Sequence, residues 1–224
     1  MKTAITYTVL SLLNLIGFVV GICLLPAQVP IHFNVNMVAD AIGSPWVYVA
    51  LPAAAALISA AIWTTTVSKK EKNRKIISGS LAGLGAVLVC IGWAFFALIA
   101  SGVEAGEQVD FPFALVIVLP LSLAVLFFGN YLPRVEQNFW FGIRIPATLR
   151  SETVWAKTHR FGGFLFFAAG LVSAISAVVF SCVGNLAFIS AIVLAATILV
   201  VTAVCTVYAH TLYRREKASK SEEN

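Results

Sequence analysis

Two short stretches of the sequence hold the side chains that could do chemistry. In the first, His32, Asn34, Asn36 and Asp40 alternate with apolar residues. An imidazole and a carboxylate can hold a metal, but one of each is too thin a ligand set, and no metal is expected. The second stretch, 136–160, holds Glu136, Asn138, Arg144, Glu152, His159 and Arg160. His159 is its candidate general base, yet no nucleophile or paired carboxylate accompanies it. The plainer reading is a hydrogen-bonded structural histidine. Phosphate-loop, zinc-protease and nucleophile-elbow patterns are absent from the sequence. Binding without a cofactor is therefore expected, rather than catalysis.

The elements that must position these groups are membrane spans. The chain has 224 residues, 60% apolar and only 11% charged, with a mean hydropathy of +0.93. An ordinary soluble domain is about 25% charged. This composition excludes a soluble enzyme, a disordered chain and a DNA-binding module. Six stretches lack any Asp, Glu, Lys or Arg: 4–25, 46–68, 76–100, 111–132, 161–182 and 186–209. Each is long enough to cross a hydrocarbon core of about 30 Å as a helix. β-Barrel strands would alternate apolar and polar residues over about 10 positions, and these do not. The first stretch is too long for a signal-peptide core and reads as a retained helix.

The fold class is thus an all-α integral membrane protein with six transmembrane helices. The chain divides into a helix pair at 1–68 with an outer loop at 26–45, and a middle pair at 69–132 with a basic inner loop at 69–75. The part 133–224 holds a structured inner loop at 133–157, a final helix hairpin and a tail. Gly184 and Asn185 leave only a tight turn within that hairpin. Pro112 falls in the first turn of the fourth span, and Pro120 should kink it.

Charge sets the orientation. All 15 Lys and Arg residues fall on one side of this arrangement, including the run from Lys69 to Lys75. The other side carries Asp40, Glu104, Glu107 and Asp110 and no base. The positive-inside rule puts both termini in the cytoplasm. The net charge of +5 then reports orientation rather than nucleic-acid binding. The same bases would attract anionic lipids.

Gly17 and Gly21, and Gly79 and Gly83, form small-residue faces that let helices approach closely. Ala169, Ser173, Ala177 and Ser181 form a longer stripe of this kind. Cys23, Cys90, Cys182 and Cys205 read as buried free thiols, with a Cys23–Cys182 disulfide as the alternative.

In the outer loop, Val29, Ile31, Phe33, Val35 and Met37 share one face of an extended segment. Gln28, His32, Asn34 and Asn36 share the other. Pro26 and Pro30 suit an edge position. A lone strand needs a partner. The segment is either a structural lid or an edge that binds a ligand or peptide. In the inner loop, Phe139, Trp140 and Phe141 precede Gly142, Ile143, Arg144, Ile145 and Pro146, a dense aromatic run suited to the membrane interface. Ser151 and Glu152 read as an N-cap and an acidic first turn. A helix from Glu152 would put Trp155, Thr158 and His159 on one face.

These loops also carry a pattern. Leu25, Pro26, Val29, Pro30, Ile31, His32, Phe33 and Asn34, then Asp40 and Gly43, resemble the outer loop of the SdpI family of bacterial immunity proteins. Gly129 to Pro133, Asn138, Gly142, Ile143, Arg144, Pro146, Thr148, Leu149, Trp155, Thr158, His159 and Arg160 resemble its C-terminal half. Met37 stands where the family usually has glycine, and Ile145 and Ala147 replace a threonine and a tryptophan. The resemblance implies a multi-pass protein that protects a bacterium from a secreted peptide toxin of the SDP type. It implies no cofactor and no catalysis, and in some systems a cytosolic repressor captured at the membrane. Pro30, His32, Phe33, Asn34, Asn36 and Asp40 would engage the toxin. Asn138, Gly142, Arg144, Pro146, Thr148, Trp155, Thr158, His159 and Arg160 would hold the regulator. The alternative is a membrane enzyme or a transporter for an apolar or neutral solute, with His159, Arg144 and His32 as working groups.

Overall fold

The computed structural model describes residues 2–65, 71–139, 141–183 and 186–222. Lys69, Lys70, Trp140, Gly184 and Asn185 lie outside the described residues. The main helices are α1 (Lys2–Ile22), α2 (Ala50–Thr65), α3 (Glu71–Ala100), α4 (Leu119–Tyr131), α5 (Pro146–Leu149), α6 (Glu152–Ser181) and α7 (Ala187–Glu222). Two strands, β1 (Val29–Phe33) and β2 (Ala39–Gly43), follow α1. Among the described residues, six helical segments are long and apolar enough to cross a membrane. The protein is a multi-pass membrane protein. Helices suit that setting because every backbone group is satisfied within the segment. Their outward faces stay apolar: Leu10, Leu13, Ile16 and Val20 of α1 are all more than half exposed.

Successive long helices run up and down, so the bundle has two ends. The strands lie at one, the hairpin end. The segment between α4 and α6 lies at the other, the loop end. α6 has 30 residues and α7 has 36, about 45 and 54 Å at about 1.5 Å per residue. Both exceed a hydrocarbon core of about 30 Å. The chain beyond 209 therefore continues as helix, where the sequence suggested only a tail.

Pro120 acts one turn earlier than a simple kink. Ala114–Val118 forms a π-turn, in which the Leu119 N–H reaches back to the Ala114 carbonyl. Pro120 then sits in the first turn of α4. Its missing N–H breaks the regular ladder, and the wider turn absorbs the mismatch.

Helix packing departs from the glycine pattern. A Cβ built at Gly17, Gly79 or Gly83 would meet nothing within 4 Å, so these three are not contact faces within the chain. Only Gly21 of that set lies under a neighbour, the Phe96 ring at 2.8 Å. The close approaches lie elsewhere. A Cβ on Gly129 would meet the Phe167 backbone nitrogen at 2.3 Å, and one on Gly170 would meet the Leu126 nitrogen at 2.5 Å. α4 and α6 touch backbone to backbone at these points. The small-residue stripe of α6 packs inward, with Ala169, Ser173 and Ala177 buried. The Ser173 and Thr197 hydroxyls sit 3.1 Å apart, linking α6 to α7. All four cysteines are free thiols, and Cys205 alone is buried.

The strand after α1 finds its partner within the same loop. β1 and β2 are antiparallel, with Val29 opposite Gly43, Pro30 opposite Ile42, His32 opposite Ala41 and Phe33 opposite Ala39. The alternation suggested an extended run to Met37, but the strand stops at Phe33. Asn34 ends it, since its Oδ1 accepts from the Asn36 and Val38 backbone N–H groups. Val35 is thereby left 62% exposed at the tip. Met37 adopts a φ of +56°, a left-handed conformation that costs a residue with a Cβ about 1–2 kcal/mol. Glycine adopts this geometry without that cost. We expect Met37→Gly to raise the unfolding free energy by up to about 1 kcal/mol, with loss of chain entropy offsetting part of the relief. A melting temperature lowered by Met37→Gly would contradict this account.

Candidate functional site

At the hairpin end, the core holds the strands onto the helices. Phe18, Ile22, Val29, Tyr48 and Ile99 form one buried cluster. Tyr48 belongs to a 3-10 turn at Pro45–Val49, which Ser44 caps. Its hydroxyl donates to the Pro30 carbonyl at 2.7 Å. Pro30 is fully buried there, so it anchors the hairpin rather than facing a partner. On the exposed face, His32 Nδ1 and Asp40 Oδ1 are 2.5 Å apart, which fixes the imidazole orientation. A second loop, 101–112, joins the sheet: the Ala39 N–H donates to the Glu107 carbonyl, and the Val109 N–H to that of Met37.

A cavity of about 770 Å³ opens under this layer. β1 and its turn line it through His32, Phe33, Asn34 and Asn36. Phe95 of α3, Gln108, Asp110, Phe111 and Phe113 of the second loop, and Ala187 and Phe188 of α7 complete the wall. The helices at 46–65 and 71–100 and those at 152–222 thus meet at this cavity. Of the residues named from sequence, His32, Phe33, Asn34 and Asn36 gather here. Asp40 reaches them through His32. Sequence reading named Asp110 only for its charge and missed Tyr48, Phe95, Phe111 and Phe188, because nothing local distinguishes an aromatic span residue facing a cavity from one facing lipid.

At the loop end, polar groups are turned inward onto the backbone. Asn73 of α3 is fully buried. Its amide nitrogen donates to the Glu136 carbonyl at 3.0 Å, and its Oδ1 accepts the Glu136 N–H at 2.9 Å. Asn138 accepts the Phe141 N–H at 2.9 Å and donates to the Glu136 carbonyl at 2.8 Å. Arg144 donates to the Phe139 carbonyl. The Thr148 hydroxyl accepts the Ile145 N–H and lies 2.7 Å from the Ile143 carbonyl. Pro146 opens the short helix α5, where its missing N–H is not needed. Ser151 caps α6 by accepting the Val154 N–H at 3.2 Å. It also donates to Glu216 of α7 at 2.6 Å.

Trp155, Thr158 and His159 share the buried face of α6. The Trp155 indole donates to the Val135 carbonyl at 2.8 Å and stacks on His159 with ring centroids 3.8 Å apart. His159 Nδ1 lies 2.9 Å from the Trp155 carbonyl, so it must carry the proton. Nε2 accepts the Ile143 N–H at 3.1 Å. Both ring nitrogens are therefore committed, and no lone pair is left for a general base. The Thr158 hydroxyl is buried without a hydrogen-bond partner among the described residues. Gly142 has a φ of +114°, and a Cβ there would lie 2.3 Å from His159 Nε2. Gly142, Thr148, Trp155, Thr158 and His159 thus hold the loop together. Arg144, Pro146 and Arg160, with Phe139, remain exposed. No group of three His, Cys, Asp or Glu residues poised for a metal occurs among the described residues.

The model of the SdpI/YfhL protein family matches residues 134–209. That segment covers α6, much of α7 and the loop-end network apart from Asn73 and Glu216. Immunity protein SdpI of Bacillus subtilis (strain 168) is 25% identical over 175 residues, 78% of this chain and 81% of that protein. No solved structure matches. The likeness to a curated immunity protein supports an immunity function. Over residues 134–209 the chain is similar to the SdpI/YfhL family, and its likeness to the curated immunity protein extends well beyond that segment.

Proposed function

We propose that the protein protects a bacterium from a secreted antimicrobial peptide of the SDP type by binding it at the outer membrane face. In this reading the hairpin end faces outward and both termini lie in the cytoplasm. The bases at the loop end support that orientation. The observation that carries the reading is the cavity roofed by His32, Phe33, Asn34 and Asn36. These belong to the loop whose pattern resembles that of the immunity family. A paired His32 and Asp40 at its mouth offer a preoriented polar contact, and the aromatic walls offer apolar area.

Expression in a cell killed by an SDP-type peptide tests this. Survival should rise with the unaltered protein and fall with a His32→Ala, Asp40→Ala double variant at equal membrane abundance. Unchanged killing with the unaltered protein, across all such peptides, overturns the reading.

A second reading is capture of a cytosolic repressor at the loop end. One observation favours it: Phe139 is 75% exposed beside Arg144 on a loop that is otherwise tied inward. Because the other motif residues are buried or only partly exposed, such a regulator would meet Phe139, Arg144, Pro146 and Arg160. A pull-down from the native host with and without toxin should recover a cytosolic protein that Arg144→Glu releases. No partner in either state removes this reading.

A further inference from the structure

We propose that the hairpin-end cavity binds an apolar peptide segment carrying one cationic group, a lysine-like side chain or a free amino terminus. This rests on the toxin-binding reading and adds the chemistry of the ligand. Three rings form a continuous wall. Tyr48 stacks on Phe95 with centroids 5.9 Å apart, and Phe95 stacks on Phe111 at 5.6 Å. All three line the cavity. Stacked ring faces attract cations as well as apolar groups.

Asp110 lines the same cavity, next in sequence to Phe111. Its carboxylate is exposed and makes no hydrogen bond or ion pair among the described residues. Of the other acids at this end, Asp40 pairs with His32, Glu107 accepts the Glu104 N–H, and Glu104 does not line the cavity. No lysine or arginine occurs in 26–45 or 101–112 to neutralise Asp110. The cavity therefore presents one uncompensated negative charge beside an aromatic wall. A wholly apolar ligand, such as a lipid tail, would leave that carboxylate unused. An anionic ligand would be repelled.

The test uses the full chain in nanodiscs of zwitterionic phosphatidylcholine, with fluorescently labelled acetyl-Leu-Phe-Lys-Phe-Leu-amide as probe. Its glutamine counterpart, acetyl-Leu-Phe-Gln-Phe-Leu-amide, is the uncharged control. Binding is read by anisotropy after subtraction of empty nanodiscs. The lysine peptide should bind at least about fivefold more tightly than the glutamine peptide, the scale of one cation–π and carboxylate contact. Asp110→Asn, an isosteric change on an exposed loop, should erase that difference. Ala187→Trp, which fills the cavity from α7, should weaken both peptides.

Equal binding of the two peptides to the unaltered protein, or an unchanged ratio in Asp110→Asn, overturns the proposal. So does no binding above empty nanodiscs. A phospholipid that co-purifies with the unaltered protein and is lost in Ala187→Trp assigns the cavity to lipid and overturns it too. Failure here with protection intact would mean that immunity uses another surface. Peptide binding without protection would refute the immunity reading alone.

Discussion

Gly142→Ala should leave little folded protein. The φ of +114° is a region that residues with a Cβ rarely adopt, and forcing one there costs about 1–3 kcal/mol. The new methyl would also lie 2.3 Å from His159 Nε2, 3.1 Å from its Cδ2 and 3.2 Å from the Trp155 ring. His159 cannot swing away, because its Nδ1 is held by the Trp155 carbonyl and its ring lies flat on the indole. Overpacking adds about 1–3 kcal/mol more. Together these are a large fraction of a typical domain's net stability of about 5–15 kcal/mol. Membrane abundance and the melting temperature of detergent-purified protein should both fall sharply. Adding His159→Ala to Gly142→Ala removes the clash but keeps the backbone strain, so it should recover some of the loss. A melting temperature for Gly142→Ala equal to that of the unaltered protein would refute this account.

Trp155 should carry the second large effect, and it divides into two parts. Trp155→Phe retains a ring for stacking but orphans the buried Val135 carbonyl. That should cost about 1–3 kcal/mol. Trp155→Ala also empties a buried site and should cost about 3–5 kcal/mol. Stability should therefore rank unaltered above Phe above Ala, measured by thermal unfolding. If Phe matches the unaltered protein, the indole hydrogen bond contributes nothing, and the loop is held by stacking alone. The damage should be to folding rather than to any surface contact, because Trp155 is only 2% exposed. Purified protein that survives with Trp155→Phe should keep whatever the hairpin end binds.

Some parts of this fold were legible from the chain alone. Six uncharged stretches of helix-spanning length dictated a membrane bundle, because a hydrocarbon core tolerates few other structures. Ser151 before Glu152 marked the start of α6, since a cap and an acidic first turn act over one turn of chain. The shared face of Trp155, Thr158 and His159 followed from helical spacing. The aromatic loop and its glycine were visible, though not that Gly142 sits against His159.

The misreadings have a common origin. Gly17, Gly79 and Gly83 looked like contact faces, yet small-residue spacing records only that a neighbour could approach, not that one does. The strand from 28 to 37 was extended too far, because alternation does not register an asparagine that folds the backbone back on itself. Asn73, inside the basic run from Lys69 to Lys75, was not singled out from the sequence, yet it is the buried clamp on Glu136.

The sequence by itself determined the membrane setting, the separation of charge between two sides and the two loops that carry the specific signal. Each depends on local composition or on spacing within a turn or two. Only the tertiary structure decided which residues act as scaffold and which face open space. It turned His159 from a candidate base into a neutral strut with both nitrogens occupied. It drew Phe95, Asp110 and Phe111 beside a hairpin that lies far from them in the chain, at Val29–Gly43. Such contacts depend on how helices cross, and a crossing is set by the packing of two surfaces at once, which no single stretch of sequence contains.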